Sequence, residues 1–252
     1  MLVDVHCHLN FDQFSADRDE VIQRAKDANV VAIINSGTEY ETNIQTLELS
    51  KKHDIIKASL GIYPTYVEKL SEKEFQRDLD FIKEHKNDII AIGEIGLDFH
   101  NTSEDHLKKI QQDRFKIILE ELGKLKKPFV IHTRKAEKEV IDILESMSVK
   151  KVDLHCFTGN YKLAKRVIDN GWSFSIPPNI MRSLHFQGLV SMTPISQLLT
   201  ETDSPYLAPP PKQRNEPSFV KLTVQKIAEI KNIDESEAEK MIFMNYQKLF
   251  LQ

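Results

Sequence analysis

The sequence has few cysteines and no long apolar run. Only two of its 252 residues are cysteine, Cys7 and Cys156, which excludes a disulfide framework and agrees with a reducing compartment. No apolar stretch approaches the roughly 20 residues that span a bilayer. The amino terminus also lacks the basic and apolar segments of a signal peptide. We therefore expect a cytoplasmic protein with no membrane contact.

Excess positive charge is also absent. The chain has 34 lysines and arginines against 38 acidic residues, and its formal net charge is −4. No global basic field therefore attracts nucleic acid. A nucleic-acid substrate would have to be held locally, at one of its own ends or in a metal-lined cleft. The composition, with 40% hydrophobic and 29% charged residues, is typical of a globular protein with a sizeable core.

Short apolar, β-branched runs alternate with amphipathic helical patterns along almost the whole chain. The predicted strands are Leu2–His6, Val30–Ser36, Ile55–Gly61, Ile89–Gly93, Phe129–Thr133, Val152–Cys156, Trp172–Ile176 and Leu198–Thr202. The predicted helices are Arg18–Ala28, Thr42–His53, Glu72–His85, His106–Leu125, Lys135–Met147, Lys162–Asn170, Ser218–Lys231 and Asp234–Phe250. This α/β alternation favours a single-domain (β/α)8 barrel of the TIM type over 1–252, regular or distorted, rather than an open sheet.

Prolines mark two segments near the end of the predicted barrel. Pro177, Pro178 and Pro194 make the stretch between the seventh and eighth strands less regular, and the role of His185 within it stays open. Three adjacent prolines predict a stiff loop at Leu207–Lys212.

The first predicted strand ends in two histidines separated by one residue. Because side chains alternate along a strand, Asp4, His6 and His8 share one side. Cys7 points the other way and is expected to be a small core residue. Two imidazoles at the carboxyl end of a strand form half of a metal site, although this short pattern alone is as easily structural.

Four more metal-binding residue types fall at the carboxyl ends of other predicted strands. Glu94 follows the fourth strand, His132 and His155 lie late in the fifth and sixth, and Asp203 follows the eighth. These ends converge on the face of a barrel where active sites lie. Metal coordination also offsets the cost of burying carboxylates. The sequence therefore predicts a divalent-metal site made by His6, His8, Glu94, His132, His155 and Asp203.

Five motifs in chain order carry a family resemblance. They are DVHCH at 4–8, GEIGLD at 93–98, HTR at 132–134, HCFTG at 155–159 and TETDSPY at 200–206. Together they resemble the TatD family of metal-dependent deoxyribonucleases, which are amidohydrolase-type metallohydrolases, and the likeness runs from residue 4 to 217. The resemblance implies phosphodiester hydrolysis and removal of nucleotides from DNA ends in the 3′ to 5′ direction.

The same resemblance implies two metal ions per chain. His6, His8, Glu94 and Asp203 would bind one, and Glu94, His132 and His155 the other, so that Glu94 bridges the pair. The carboxylates admit magnesium or manganese, whereas the histidines favour zinc, iron, nickel or cobalt, and the sequence does not choose between them.

Catalytic roles are predicted for Asp203 and Glu94. Asp203 is the candidate general base that orients a water between the two metals. Arg134 and Arg214 are candidates for gripping a phosphate, with a structural salt bridge as an equally weighted alternative for each. We expect Asp4 and Asp98 to orient ligands.

Tyr63 departs from the family's pattern. The family usually has Gly-x-His-Pro after the third strand, and this chain has tyrosine in the histidine's place, at residues 61–64. A tyrosine can donate a hydrogen bond or stack on a base, but it cannot carry an imidazolium charge. Tyr63 is thus a candidate substrate contact, and the loop before Arg214 is also shorter than usual. Both differences predict an altered substrate range.

Two alternatives compete with a nuclease. A hydrolase for a small amide, lactone or phosphate ester could use the same donors, although related barrels often bridge their metals with a carboxylated lysine on strand four. No lysine lies between Asn87 and Asn101, which favours Glu94 as the bridge. A non-catalytic metal-binding scaffold is the second alternative, against which the intact set of six donors argues.

Overall fold

Eight parallel strands lie side by side in chain order and wrap into a barrel. The computed structural model describes all residues 1–252. The strands are β1 Leu2–Cys7, β2 Val30–Ser36, β3 Ile56–Leu60, β4 Ile89–Asp98, β5 Phe129–Arg134, β6 Val152–His155, β7 Ser173–Ile176 and β8 Leu198–Thr200. This arrangement confirms the predicted (β/α)8 barrel.

The seam between β1 and β8 is the irregular part of the barrel. These two strands form no regular ladder. They are joined instead by the Asp203 amide, which donates to the His6 carbonyl at 2.9 Å, and by the Thr200 hydroxyl, which donates to the Val3 carbonyl at 2.6 Å. The barrel is therefore nearly closed, with the distortion that the sequence allowed for.

Ten α-helices cover the barrel. They are α1 Arg18–Asp27, α2 Tyr40–Lys52, α3 Pro64–Val67, α4 Glu72–Glu84, α5 Asp105–Gly123, α6 Glu137–Ser146, α7 Tyr161–Asp169, α8 Leu184–Met192, α9 Val220–Lys231 and α10 Glu235–Phe250. α4 illustrates why they form: Ser71 and Glu74 make a capping box, and Phe75, Leu79 and Ile82 form one buried stripe. No helix of the structure has the length and apolarity that crossing a bilayer requires.

The core lies inside the barrel and between the strands and helices. One cluster of 62 buried apolar residues spans both layers. β1, β6 and β7 are buried at every position, as expected for parallel strands covered on both faces. This packing places the carboxyl ends of the strands at one end of the molecule.

Two predicted strand ends were wrong by more than one residue. β4 continues through Glu94 to Asp98, because Gly93 and Gly96, which suggest a strand end, are close-approach positions within the sheet. A Cβ on Gly96 would lie 2.1 Å from the His132 carbonyl oxygen of β5. β8 ends at Thr200 and not at Thr202, because the following residues turn to meet β1.

The segment between β7 and β8 is more regular than predicted. It contains α8, and the Ser183 hydroxyl caps this helix by accepting from the Phe186 amide at 3.3 Å. Pro177 and Pro178 precede the helix and Pro194 follows it, so the prolines bound the helix without interrupting it.

Candidate metal centre

All six predicted metal ligands meet at the carboxyl ends of the strands. His6 lies in β1 and His8 just after it, Glu94 in β4, His132 in β5, His155 at the end of β6, and Asp203 after β8. Their side chains are largely buried, with Asp203 the most exposed at 17%. Burying so many imidazoles and carboxylates together is costly unless each is paired or bound to a cation.

Four donors surround one position at the β1–β8 seam. The His6 Nε2 atom lies 3.5 Å from Glu94 Oε2 and 3.6 Å from Asp203 Oδ1. The corresponding distances from His8 Nε2 are 3.4 and 3.5 Å. With metal–ligand bonds of about 2.0–2.1 Å, neighbouring donors of a tetrahedral site lie about 3.4 Å apart. These four nitrogen–oxygen distances are thus those that a cation between the donors requires.

A second group of donors uses the other oxygen of Glu94. Glu94 Oε1 lies 2.7 Å from His132 Nδ1 and 2.9 Å from His155 Nε2. The two nitrogens are 3.1 Å apart. The donor atoms of His6, Glu94 and His155 also lie within 4.8 Å of one another. Glu94 and His6 therefore stand between the two groups.

The remaining ring nitrogens of His6 and His8 contact Ser36 at the end of β2. His8 Nδ1 lies 3.0 Å from the Ser36 carbonyl oxygen and can only donate there, which leaves Nε2 as a lone-pair ligand. His6 Nδ1 lies 3.1 Å from the Ser36 hydroxyl. His6 Nε2 is buried with no hydrogen-bond partner, as expected of a nitrogen whose lone pair is a metal ligand.

Sequence reasoning missed Ser36. The signal was present, because Ser36 ends a buried apolar strand at the same carboxyl face as the predicted ligands.

His132 shows the same division of roles between its ring nitrogens, and His155 shows it only in part. His132 Nε2 lies 3.2 Å from the Tyr63 hydroxyl and 3.5 Å from Asp98 Oδ2. His155 Nδ1 lies 3.7 Å from Glu201 Oε2, and Glu201, in the TETDSPY motif, is a fully buried residue that sequence reasoning also missed. His132 thus turns one nitrogen to the centre and the other to a group that orients the ring. His155 Nδ1 is buried with no hydrogen-bond partner, because Glu201 lies beyond hydrogen-bond distance.

The sequence profile described as TatD related DNase matches residues 3–251. The chain belongs to this family. It is 38% identical over 250 residues to an uncharacterised metal-dependent hydrolase of Methanocaldococcus jannaschii, covering 98% of this chain and 96% of that protein. It is 33% identical over 258 residues to human deoxyribonuclease TATDN3, covering 99% of this chain and 94% of the human protein.

The fold comparison agrees with the sequence comparison. The crystal structure of YjjV, a TatD homologue of Escherichia coli, superposes with a TM-score of 0.91 at 25% identity, over 100% of this chain and 98% of that one. The predicted family and the predicted class, a metal-dependent hydrolase that acts on ester bonds, are confirmed. The donor set of this TatD-family chain fits that class, because it offers imidazole and carboxylate ligands at metal-site spacing.

Charge at the centre of the TatD-family chain is balanced by protons when no cation is bound. Burial opposes ionisation of Glu94, but His155, His6 and His132 outweigh it and hold the pKa of Glu94 well below its usual range. Burial likewise opposes protonation of His8 and His132, yet hydrogen bonds to the neighbouring carboxylates raise the pKa of each. A divalent cation would replace these protons.

Asp4 acts on the backbone near the ligands, not on an imidazole. Its Oδ1 accepts from the Thr202 amide at 2.9 Å and from the His6 amide at 3.3 Å, and its Oδ2 accepts from the Thr202 hydroxyl at 2.5 Å. These bonds tie β1 to the segment that leads into Asp203. Asp203 itself has a φ of 52°, a left-handed backbone conformation that costs free energy in a non-glycine residue.

The two predicted phosphate-binding arginines have different surroundings. Arg134, at the end of β5, is exposed and makes no ion pair. Arg214 donates to both oxygens of Asp17, at 2.8 and 2.5 Å, and its guanidinium lies 4.6 Å from the Phe14 ring centre. Arg214 is therefore in the structural salt bridge that was its alternative reading, and it does not join the metal-binding cluster. A phosphate contact at either arginine stays a prediction.

Proposed function

We propose that this TatD-family hydrolase is a deoxyribonuclease that uses two divalent cations to remove nucleotides from DNA ends in the 3′ to 5′ direction. One observation carries the proposal: Glu94 presents Oε2 to His6 and His8 and Oε1 to His132 and His155. A carboxylate that spans two donor groups is suited to a pair of cations a few ångströms apart. The name of the human relative supports DNA as substrate.

The bound cations would supply Lewis-acid polarisation of the phosphoryl group and acidification of a water. The chain's own residues orient the reactants. Asp203 is the most exposed of the six donors, so it can contact a water at the mouth of the site and accept a proton from that water as general base. The pKa of Asp203 lies below its usual range, because His8 and the nearby imidazoles outweigh burial, so the carboxylate is ionised at neutral pH.

We propose Arg134 and Tyr63 as the substrate contacts beside the metals, with Arg214 more distant. Arg134 lies two residues after His132 on the same strand and has a free guanidinium for a phosphate. The Tyr63 hydroxyl is engaged, since it donates to Asp98 Oδ2 at 3.1 Å. The ring of Tyr63, and not its hydroxyl, is therefore the part available to contact a nucleotide. Arg214 would contact a phosphate only if its pair with Asp17 opened.

A second candidate function is hydrolysis of a small phosphate ester, lactone or amide. The observation in its favour is Tyr63, which brings no positive charge to the place where the family usually has a histidine. A cytoplasmic location and a single-domain organisation also remain predictions.

The test compares substrates on protein stripped of metal and reloaded with one divalent metal at a time. We expect metal-dependent release of nucleotides from a 5′-labelled oligodeoxynucleotide, progressing from its 3′ end. Turnover of a lactone alone would favour the small-molecule enzyme. No turnover of any phosphodiester, lactone or amide would favour a non-catalytic scaffold.

Two variants connect turnover to the bridging carboxylate. Glu94→Gln should lower metal-dependent turnover about a thousandfold, since metal stabilisation of the transition state is worth several kcal/mol. Glu48→Gln, on the exposed side of α2, is the matched control and should keep full activity. Full activity of the double variant Glu94→Gln, Asp203→Asn would overturn the mechanism.

A further inference from the structure

Large apolar side chains are exposed around one half of the barrel's mouth. Four of the nine such residues lie in the three consecutive segments that follow β6, β7 and β8, two of them as the first residues of α7 and α8. They are Tyr161, Met181, Leu184 and Tyr206, with exposed fractions of 47, 45, 81 and 50%. We call these four residues together with His185 the β6–β8 rim. The other five are at the chain termini or on the outer helices, so this concentration is specific to the end of the barrel that holds the metal centre.

The β6–β8 rim is continuous with the metal centre. The Tyr206 amide donates to the carbonyl of the ligand Asp203 at 2.9 Å. His185 Nε2 lies 3.1 Å from the carbonyl of Phe157, two residues after the ligand His155. A molecule held on this rim would therefore extend directly into the catalytic mouth.

The rim is also held rigidly. Arg182 donates to the carbonyls of Ala208 and Pro209 at 3.1 and 2.9 Å, which ties the loop after β7 to the proline-rich loop after β8. The Tyr161 and His185 rings are parallel, with 7° between their planes and 5.7 Å between their centres. Gly188 of α8 leaves room for this arrangement, because a Cβ there would lie 2.0 Å from the Tyr161 hydroxyl.

The segments that carry the rim contain positively charged side chains and no negatively charged ones. Residues 158–163, 177–184 and 204–215 contain no aspartate or glutamate, while Lys162 and Lys212 are exposed and make no ion pair. The loops after β1 to β4 each carry at least one carboxylate: Asp12, Glu39, Glu68 and Glu104. A chain with a net charge of −4 thus has a locally cationic surface interleaved with aromatic rings. Aromatic platforms beside cations are how proteins hold unpaired nucleic acid strands.

We propose that the β6–β8 rim binds the unpaired DNA strand that extends beyond the bond being cleaved. Bases stack on Tyr161 and Tyr206, and Lys162 and Lys212 contact the phosphates between them. The assignment rests on the proposed nuclease function, because it names the surface that holds the rest of that substrate. It also makes base stacking, and not phosphate charge alone, the source of affinity for longer strands.

The first experiment separates strand binding from chemistry. Metal-loaded protein is assayed on a single-stranded oligodeoxynucleotide and on bis(p-nitrophenyl) phosphate, a small diester with no strand beyond the cleaved bond. Tyr161→Ala combined with Tyr206→Ala should raise KM for the oligonucleotide at least about 30-fold, the effect of losing two base-stacking contacts, and leave kcat for the small diester unchanged. Met244→Ala, at an exposed apolar residue of α10, is the matched control.

The second experiment asks whether bases are required. Fluorescence anisotropy compares a labelled oligonucleotide with an abasic strand of equal length, which has the same phosphates and no bases. We expect at least about 10-fold weaker binding of the abasic strand. Tyr161→Trp combined with Tyr206→Trp should retain tight binding, because the larger ring still stacks on a base. The alanine variant's turnover of the small diester shows that it is folded. Lys162→Ala with Lys212→Ala should reduce the slope of log affinity against log salt by about 1.4, at about 0.7 per phosphate contact.

The outcomes keep the two proposals distinct. The proposed strand binding by the rim would be overturned if the unchanged protein and the double alanine variant had equal KM and affinity for the oligonucleotide. Equal binding of the abasic strand would overturn it as well. Either result would count against the rim even if the nuclease activity were confirmed. Hydrolysis of neither phosphodiester would overturn the proposed function, and the anisotropy comparison would then still decide whether the rim binds a strand.

Discussion

The Tyr63 hydroxyl lies 3.2 Å from Nε2 of His132, on the opposite side of the imidazole from Glu94. The same hydroxyl donates to Asp98 at 3.1 Å. Tyr63 thus contacts a candidate metal ligand, although it occupies the place of a histidine that the family usually has. Its effect on metal affinity can be separated from any contact with substrate.

Tyr63→Phe should weaken binding of the cation held by His132 about 10-fold, the lower end of what loss of an orienting partner costs. Titration of the metal-free variant with manganese or cobalt, followed by activity and by calorimetry, measures the change. Tyr66→Phe, in the short helix α3 that follows Tyr63, is the control. Unchanged metal affinity with a raised KM would mean that Tyr63 acts on the substrate alone.

Ser36→Ala removes the hydroxyl beside His6 and keeps the backbone carbonyl that holds His8. We expect the affinity for the cation bound by these two histidines to be about 10- to 100-fold lower. The affinity is read from metal content after dialysis against chelators of graded strength. Ser50→Ala, whose hydroxyl donates only to a carbonyl of its own helix, should behave like the unchanged protein.

Metal binding should release about two protons near pH 7.5, because His8 and His132 hold raised pKa values in the metal-free protein and must bind a cation as neutral imidazoles. Affinity should therefore rise with pH. Calorimetric titrations in buffers of different ionisation enthalpy give the number of protons. A binding enthalpy that is the same in every buffer would contradict this charge balance.

Asp153→Asn should flatten the pH dependence of stability. Burial raises the pKa of Asp153 to about 7, against about 3.9 in an unfolded chain. Between these values the folded protein keeps a proton that the unfolded chain has lost. The contribution of Asp153 to stability is therefore greatest below about pH 4 and declines as pH rises towards 7.

From pH 5.5 to 8, the free energy of unfolding of metal-free Asp153→Asn should fall by about 2 kcal/mol less than that of the unchanged protein, at about 1.4 kcal/mol per pH unit up to the folded pKa. Urea denaturation at the two pH values measures this difference. Asp105→Asn, at a side chain that is 98% exposed, controls for the loss of a carboxylate. Parallel pH profiles for all three proteins would show that Asp153 does not titrate as proposed.

Much of the candidate metal centre follows from the sequence. His6 and His8 can be assigned to one side of a strand because side chains alternate with period two. Glu94, His132 and Asp203 could be brought to the same place without coordinates, because a parallel barrel gathers the carboxyl ends of its strands on one face. Each of these inferences uses a local pattern and one general rule of topology.

Only the tertiary structure decided which groups stand behind the ligands. Ser36 contacts His6 from a strand 30 residues away, and Tyr63 contacts His132 across 69 residues. The β6–β8 rim likewise brings together segments that are distant in the chain, with Tyr161 in one and Tyr206 in another. Such contacts depend on the register and twist of neighbouring strands, which set distances to tenths of an ångström. Local alternation of apolar and polar residues specifies which face a side chain takes, but not which side chain from another strand it meets there.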